Sequence, residues 1–398
     1  MRRVGIGLLL LLLSLNSLAH QPHDHIEHET NHMLMDIIKP ADSEISKILK
    51  IDYTNQPQQV FHLLSTDTPP AQTIRLSWQL RQSLDGLHLP TPVLVVNGAY
   101  EGPVMCLTAA IHGDELNGIE IVRRILHNLE PENLSGTVIG VPIVNLQGFH
   151  RSSRYLTDRR DLNRFFPGNP QGSSAARIAH SFFQEIIAHC DFLVDIHTGS
   201  ALRTNLPQIR GNLYIPEVAA FAHAFGISVI LHSEGTEGML RHAAINAGIP
   251  AVTLEAGKSN TLQEPAIQHG VESILTMLDK LGIISNDHSG NLLESVYYRS
   301  EWVRADHGGI LYGHVKLGEK VIKDMVLGVI TDPITNLQSE IISPYDGQII
   351  GMAVDQVVMP GFASFHIGIQ DTERKIARME RLPEKQNVEK MTRTLESE

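Results

Sequence analysis

Two histidines and a glutamate stand where their side chains could bind one metal ion. His112 follows the apolar run 104–111, and Glu115 comes three residues later. His197 ends a second apolar run, 192–197. Imidazole nitrogen and carboxylate oxygen are zinc ligands, and three of them leave a fourth position for water, as catalytic zinc sites require. Taken singly, Glu115 could instead favour the start of a helix, and His197 could be a hydrogen-bonded core histidine.

A second glutamate, Glu255, ends the apolar run 251–255 and precedes Ala256-Gly257. A carboxylate at the end of a buried strand is costly unless it is paired or used. Close to a zinc-bound water it would serve first as a general base and then as a general acid.

Arginines cluster in the stretch between these runs. Asp161-Leu162-Asn163-Arg164 is preceded by Arg154 and Arg160. The planar guanidinium group can hold a carboxylate through two hydrogen bonds, and the amide of Asn163 adds directed donors. The alternative is a surface loop in which the arginines pair with nearby aspartates.

Buried strands and amphipathic helices alternate between residues 75 and 285, and they must position these side chains. The predicted strands are 76–80, 91–97, 104–111, 137–145, 192–197, 227–232 and 251–255. This alternation predicts an α/β fold with a mainly parallel central sheet flanked by helices. Ligands of such sheets gather beyond the carboxyl ends of the strands, where the clusters above are found. We place this catalytic domain at 46–285.

The pattern changes after residue 285. A polar, glycine-containing stretch is followed by short strands and many turn glycines, with no good helix, up to residue 369. We therefore expect a small, all-β C-terminal domain at 297–370. The remaining 371–398 is a charged tail.

The N-terminus has the order typical of a secretory signal peptide. Residues 1–19 contain two arginines, an apolar run and a small-residue site ending at Ala19. The run is shorter than the roughly 20 apolar residues of a membrane span, so we expect cleavage, no stable membrane insertion and an exported, periplasmic or secreted protein. The head at 20–45 is His-rich, which fits either loose metal binding or a plain polar segment.

Composition excludes several classes of protein. The 398 residues carry a net charge of −12, which argues against binding to nucleic acid. Two cysteines exclude a disulfide-dense scaffold. Because Cys106 lies in an apolar run, we expect it and Cys190 to be separate buried thiols rather than a disulfide. The Gly-x-Ser-x-Gly motif of serine hydrolases is absent from the sequence, and so is a phosphate-binding glycine loop.

Taken together and in this order, the motifs resemble the succinylglutamate desuccinylase/aspartoacylase family, a branch of the zinc carboxypeptidase-like superfamily. The matching segments are Ala110-Ile111-His112-Gly113-Asp114-Glu115, Asp161-Leu162-Asn163-Arg164, Asp195-Ile196-His197-Thr198-Gly199 and Leu254-Glu255-Ala256-Gly257. The resemblance extends from about residue 75 to residue 369, because family members also carry a C-terminal β domain.

The resemblance assigns a role to each matching residue. It implies that His112, Glu115 and His197 bind one Zn²⁺ per chain. It makes Glu255 the catalytic carboxylate, and it gives Asn163 and Arg164 to a substrate carboxylate. The arginine that polarises the scissile carbonyl would be Arg154, with Arg160 as the alternative.

From these roles we expect an exported zinc-dependent deacylase. It would cleave an amide bond, or as a second option an ester bond, in an N-acyl amino acid or a similar small carboxylate. The first alternative is a carboxypeptidase-like enzyme acting on peptides or cell-wall peptides. The second is a non-catalytic zinc-binding protein, in which Glu255 would have no task.

Overall fold

A computed structural model gives the positions of most of the chain. It describes residues 42–51, 56–79, 90–200, 202–227, 229–285, 295–354 and 356–369. The predicted export signal, the charged tail and all but the last four residues of the His-rich head lie outside these ranges. None of the described helices is both long and apolar enough to span a membrane.

The secondary structure contains strands along the whole described chain and helices only in its first part. The helices are α1 (Asp42–Ile48), α2 (Leu116–Asn128), α3 (Leu146–Phe149), α4 (Ser174–Glu185), α5 (Pro216–Ala224), α6 (Leu240–Asn246) and α7 (Glu264–Lys280). Short 3₁₀ helices lie at Pro131–Asn133, Leu162–Arg164 and Ile187–His189. The strands are β1 (Phe61–Leu63), β2 (Thr66–Thr68), β3 (Gln72–Trp78), β4 (Thr91–Asn97), β5 (Tyr100–Ala109), β6 (Ser135–Val141), β7 (Phe192–Gly199), β8 (Arg203–Gly211), β9 (Val229–His232), β10 (Ala251–Lys258), β11 (Ser295–Tyr297), β12 (Arg299–Arg304), β13 (Gly309–Gly313), β14 (Lys320–Val321), β15 (Val326–Thr331), β16 (Gln338–Ile342), β17 (Gly347–Ala353), β18 (Gln356–Val358) and β19 (Ala363–Ile369).

A large mixed sheet organises the fold. Its main path runs β12-β19-β17-β8-β10-β7-β5-β6-β4-β3. The central strands β10, β7, β5 and β6 are parallel, whereas β4 and β3 at one side and β8, β17, β19 and β12 at the other pair antiparallel. The predicted α/β fold is confirmed, and its parallel part is the part that carries the predicted site.

The apolar runs form the centre of this sheet because helices cover both of its faces. Successive residues of a strand point to opposite faces, so Leu193 of β7 joins one hydrophobic cluster and Val194 joins the other. The first cluster packs against α4 and α6, and the second against α2, α5 and α7.

The predicted C-terminal β region is present, but its strands belong to two sheets. β16, β15, β13 and β18 form a small antiparallel sheet with its own hydrophobic core. β17, β19 and β12 instead continue the central sheet, because β17 pairs with β8 from Asn205 opposite Gly351 to Arg203 opposite Ala353. The C-terminal strands are therefore structural neighbours of the site-bearing strands.

The expectation of two separate thiols is wrong, because Cys106 and Cys190 form a disulfide. Cys106 lies on β5, and Cys190 lies two residues before β7, the parallel neighbour of β5. This pairing brings their Cα atoms to 5.8 Å, within the range that a disulfide spans. Cys106 does lie in apolar surroundings, as the sequence predicts, but an apolar run does not reveal which residue lies beside it.

Candidate metal centre and catalytic site

The three predicted metal ligands lie together at the carboxyl ends of β5 and β7. Nδ1 of His112 is 2.8 Å from Oε1 of Glu115, and Nδ1 of His197 is 2.9 Å from Oε2 of the same carboxylate. One ligand atom from each residue falls within 4.8 Å of the others, and all three side chains are buried. These three residues could hold a metal ion, and we call them the metal-binding group for that reason.

A tight turn between β5 and α2 brings His112 and Glu115 to one point. The amide of Glu115 donates to the carbonyl of His112 at 3.1 Å, and Glu115 stands immediately before α2. Gly113 makes the turn possible, because a Cβ atom there would lie 2.1 Å from the backbone carbon of Gly148 at α3. His197 arrives from β7 itself.

Each histidine turns its second ring nitrogen to a further carboxylate. Nε2 of His197 lies 2.7 Å from Oδ2 of Asp195, and Nε2 of His112 lies 3.1 Å from Oδ1 of Asp161. Asp195 is fixed in turn, because Thr108 donates to its Oδ1 at 2.9 Å. Metal-binding histidines characteristically donate their other ring N–H to a carboxylate, so the donors and their supports fit a metal ion.

The electrostatics of the cluster come from burial opposed by close charge pairing. Burial alone would raise the pKa of Glu115, but His112 and His197 outweigh it and hold this pKa well below its usual range. Burial works to lower the pKa of His197, yet Asp195 and Glu115 raise it well above its usual range. The same carboxylates that attract a proton to these rings would attract a metal cation.

Glu255 lies beside the metal-binding group, on the neighbouring parallel strand. In the register of β10 and β7, Glu255 is directly opposite His197. Nδ2 of Asn205 donates to its Oε2 at 2.8 Å, and Nη1 of Arg210 is 3.2 Å from its Oε1. The carboxylate is thus buried, paired and held beside the predicted ligands.

Arg154, and not Arg160, reaches the metal-binding group. Its Nη1 lies 3.3 Å from Oε1 of Glu115, and its Nη2 donates to Oδ2 of Asp161 at 3.0 Å. Arg160 pairs with Asp158 at 3.1 Å, and 47% of its side chain is exposed. The alternative in which arginines pair with nearby aspartates is therefore present for Arg160. Arg154 nevertheless lies at the site.

Asn163 and Arg164 lie in the short helix Leu162–Arg164, which Asp161 connects to the metal-binding group. Oδ1 of Asp161 accepts from the amide of Asn163 at 3.0 Å, and the same atom faces His112. The Oδ1 of Asn163 accepts from the amide of Leu240 at 2.8 Å, and within the described residues no acceptor is recorded for its side-chain N–H groups. Arg164 is exposed and donates to the carbonyl of Asn163; no carboxylate in the described part of the chain is within ion-pair distance of it.

Three polar residues at the site were not found from the sequence. Asn205 and Arg210 belong to β8, which the sequence analysis did not predict, because the side chains that this strand buries include polar ones such as Gln208. Arg241, at the start of α6, is 4% exposed and donates to the side chain of Thr253 at 3.1 Å.

The buried Arg241 keeps a guanidinium group without a carboxylate contact among the residues that the structure describes. Burial and the charge of Arg210 lower its pKa to about 10. The one available signal was an arginine in the short helix Leu240–Asn246, which also contains Ala243 and Ala244.

Comparisons with known proteins show which proteins this chain is similar to. A family model described as the succinylglutamate desuccinylase/aspartoacylase catalytic domain matches residues 101–281. A curated relative, the N-alpha-acetyl-L-2,4-diaminobutyric acid deacetylase of Halomonas elongata, is 27% identical over 253 residues, which are 61% of this chain and 74% of the relative.

Solved structures show the same fold. The product-bound ectoine utilization protein EutE (DoeB) of Ruegeria pomeroyi superposes with a TM-score of 0.69 at 21% identity, over 80% of this chain and 100% of that one. A succinylglutamate desuccinylase/aspartoacylase of Rhodobacter sphaeroides gives 0.66 at 24% identity, over 75% and 96%. Over residues 101–281 the chain is therefore similar to the catalytic domain of the succinylglutamate desuccinylase/aspartoacylase family of hydrolases.

Proposed function

We propose that this hydrolase is an exported, zinc-dependent deacylase that cleaves the amide bond of an N-acyl amino acid. The observation that carries the proposal is a buried His112, Glu115 and His197 donor set with Glu255 directly opposite His197 on the next strand. Two histidines and one glutamate are the protein ligands of several catalytic zinc sites.

The residues divide the reaction among them. His112, Glu115 and His197 would hold a Zn²⁺ ion, which would supply Lewis acidity and lower the pKa of water toward about 7. Glu255 accepts the proton of the attacking water and returns it to the leaving nitrogen. Arg154 stabilises the negative charge that develops on the carbonyl oxygen.

The substrate class follows from the cations and amides beside the site. Asn163 and Arg164 offer donors to a carboxylate, and buried Arg241 supplies a positive charge whose hydrogen bonds within the described residues go to Thr253 and Ser233 rather than to a carboxylate. An N-acyl amino acid brings the required carboxylate. The name of the Halomonas relative, a deacetylase of an N-acetylated amino acid, supports this class for the present chain.

Export is proposed from the signal-like residues 1–19. The disulfide between Cys106 and Cys190 supports it, because such bonds persist in oxidising compartments and are rare in the cytosol. Mass spectrometry of the native protein should find a mature N-terminus at or near His20. An intact Met1 in the cytoplasmic fraction would contradict export.

The decisive experiment tests metal and base separately. Zinc-loaded protein is first assayed against a panel of N-acetyl and N-succinyl amino acids and short peptides. Glu255→Gln should keep its zinc and lose at least 10²-fold in turnover, the low end for general acid–base catalysis. His112→Ala should lose zinc and activity together.

Glu340→Gln makes the same chemical change on an exposed position of β16 and should behave as wild type. If Glu255→Gln turns over the substrate like wild type, the proposed mechanism is wrong. If the panel yields peptides and no N-acyl amino acid as substrates, the carboxypeptidase-like alternative replaces it.

A further inference from the structure

A row of directly paired residues crosses the sheet from the catalytic strand to the C-terminal strands. Gly257 of β10 is opposite Asn205 of β8, and Asn205 is opposite Gly351 of β17. Gly351 is opposite His366 of β19, which is opposite Trp302 of β12. Residues paired in this way project to the same face of a sheet.

This row lies on the catalytic face. Asn205 is 5% exposed, and its Nδ2 donates to Oε2 of Glu255 at 2.8 Å. The C-terminal strands therefore reach the catalytic carboxylate through one intermediate side chain, the amide of Asn205.

Gly351 is the point of closest approach within the row. A Cβ atom at this position would lie 2.7 Å from Oδ1 of Asn205 and 3.3 Å from the Cβ of His366. The first distance is shorter than van der Waals contact allows, so the amide of Asn205 rests against the bare backbone of β17. Any side chain at Gly351 would push this amide away from its present position.

The side chains at the C-terminal side of the row are closely packed. The rings of His366 and Trp302 stack at 4.6 Å with 9° between their planes, and Nε2 of His366 lies 2.9 Å from the hydroxyl of Ser300. Arg203, at the start of β8, places its guanidinium 5.2 Å from the Trp302 ring. Burial and the charge of Arg210 lower the pKa of His366 to about 3.

We propose that Asn205 and Gly351 are positioning residues for Glu255: the backbone of β17 at Gly351 fixes the amide of Asn205, and this amide orients the carboxylate. The C-terminal β region thereby contributes to the reaction itself. The inference rests on the proposed role of Glu255 in proton transfer and adds the elements that aim it.

The test is a double-mutant cycle in the full-length, zinc-loaded protein. Asn205→Ala removes the donor and should lower kcat by about tenfold to a hundredfold with KM within threefold, since a hydrogen bond to a charged group is lost and the base acts in the transition state. Gly351→Ala should lower kcat in the same way by displacing the amide. Zinc content should not change in either variant.

Non-additivity separates positioning from a general loss of structure. In the Asn205→Ala background the amide is gone, so adding Gly351→Ala should cost little more. Gly308→Ala is the matched control, because a Cβ atom there meets the ring of Pro360 at 3.3 Å and no residue of the site. It should keep the wild-type kcat.

Four results would overturn the inference: wild-type kcat in Asn205→Ala, additive losses in the double variant, zinc loss that parallels the loss of activity, or a loss of kcat in Gly308→Ala equal to that in Gly351→Ala. If Gly351→Ala does not yield folded protein, Asn205→Ala decides the matter alone. Failure of the proposed function is distinguishable, because it would appear as full activity in Glu255→Gln.

Discussion

Reducing the disulfide between Cys106 and Cys190 should destabilise the protein by about 4.6 kcal/mol. The bond closes a segment with a sequence separation of 84 residues. It restricts the unfolded chain, and the loss of entropy grows with the logarithm of the closed length, which gives about 4.6 kcal/mol at 25 °C for this segment. Both cysteines are buried, so reduction gives the folded state little additional conformational freedom. The effect therefore falls mainly on the unfolded chain.

Urea unfolding of oxidised protein and of protein held in a reductant measures this difference directly. The reduced protein should unfold at a lower urea concentration, because its free energy of unfolding is smaller. The double variant Cys106→Ala, Cys190→Ala should show the same midpoint with and without reductant. Its difference from reduced wild type isolates the effect of removing two buried sulfur atoms. Equal midpoints for oxidised and reduced wild type, or two free thiols in the native protein, would refute the reasoning.

Further variants test the assignments around the metal-binding group. Asp195→Asn should weaken zinc affinity about 10- to 100-fold, measured against a competing chelator, because His197 loses the carboxylate at 2.7 Å that orients its ring. Arg164→Lys should lower kcat/KM at least tenfold, about 1.4 kcal/mol, for acids and have little effect on an amidated analogue; equal losses for both would make Arg164 structural or a transition-state residue. Arg154→Ala should lower kcat/KM about tenfold or more, whereas Arg160→Ala should stay within twofold of wild type, because only Arg154 contacts Glu115. If Arg160→Ala lowers kcat/KM more than Arg154→Ala does, Arg160 has the role that we assign to Arg154.

The metal-binding group was predictable because its residues stand where strands end. His112 follows and His197 ends an apolar run, the alternation of such runs with amphipathic helices indicates buried parallel strands, and parallel strands present their carboxyl ends at one edge of the sheet. The spacing of Glu115 from His112 then needed only one tight turn. Local pattern and fold class placed these three residues near one edge of the sheet, and the family resemblance assigned them to one metal ion.

Other parts of the site depend on contacts that no local pattern records. β8 carries Asn205 and Arg210 inward, and a strand with polar residues on its buried side has no apolar signature. To predict the disulfide, one would have to know that β5 and β7 are neighbouring strands. Likewise, the sequence predicts the short C-terminal strands, but β17 pairs with β8, which is distant in the sequence. A local pattern does not indicate such a pairing.

The pairing of β8 with β17 also has a consequence for how the chain must fold. A hydrogen bond from Nε2 of Gln208 to the carbonyl of Ile350 joins residues 142 positions apart, so this edge closes only after most of the chain has been synthesised. Long loops close slowly, and an unpaired strand edge can pair with another chain in the meantime. Every predicted metal ligand precedes this step, yet a chain truncated after α7 would leave the edge of β8 at residues 203–205 uncovered. We expect such a shortened chain to aggregate during expression. In the full-length protein, we expect chaperones to be needed mainly until β17 has paired with β8.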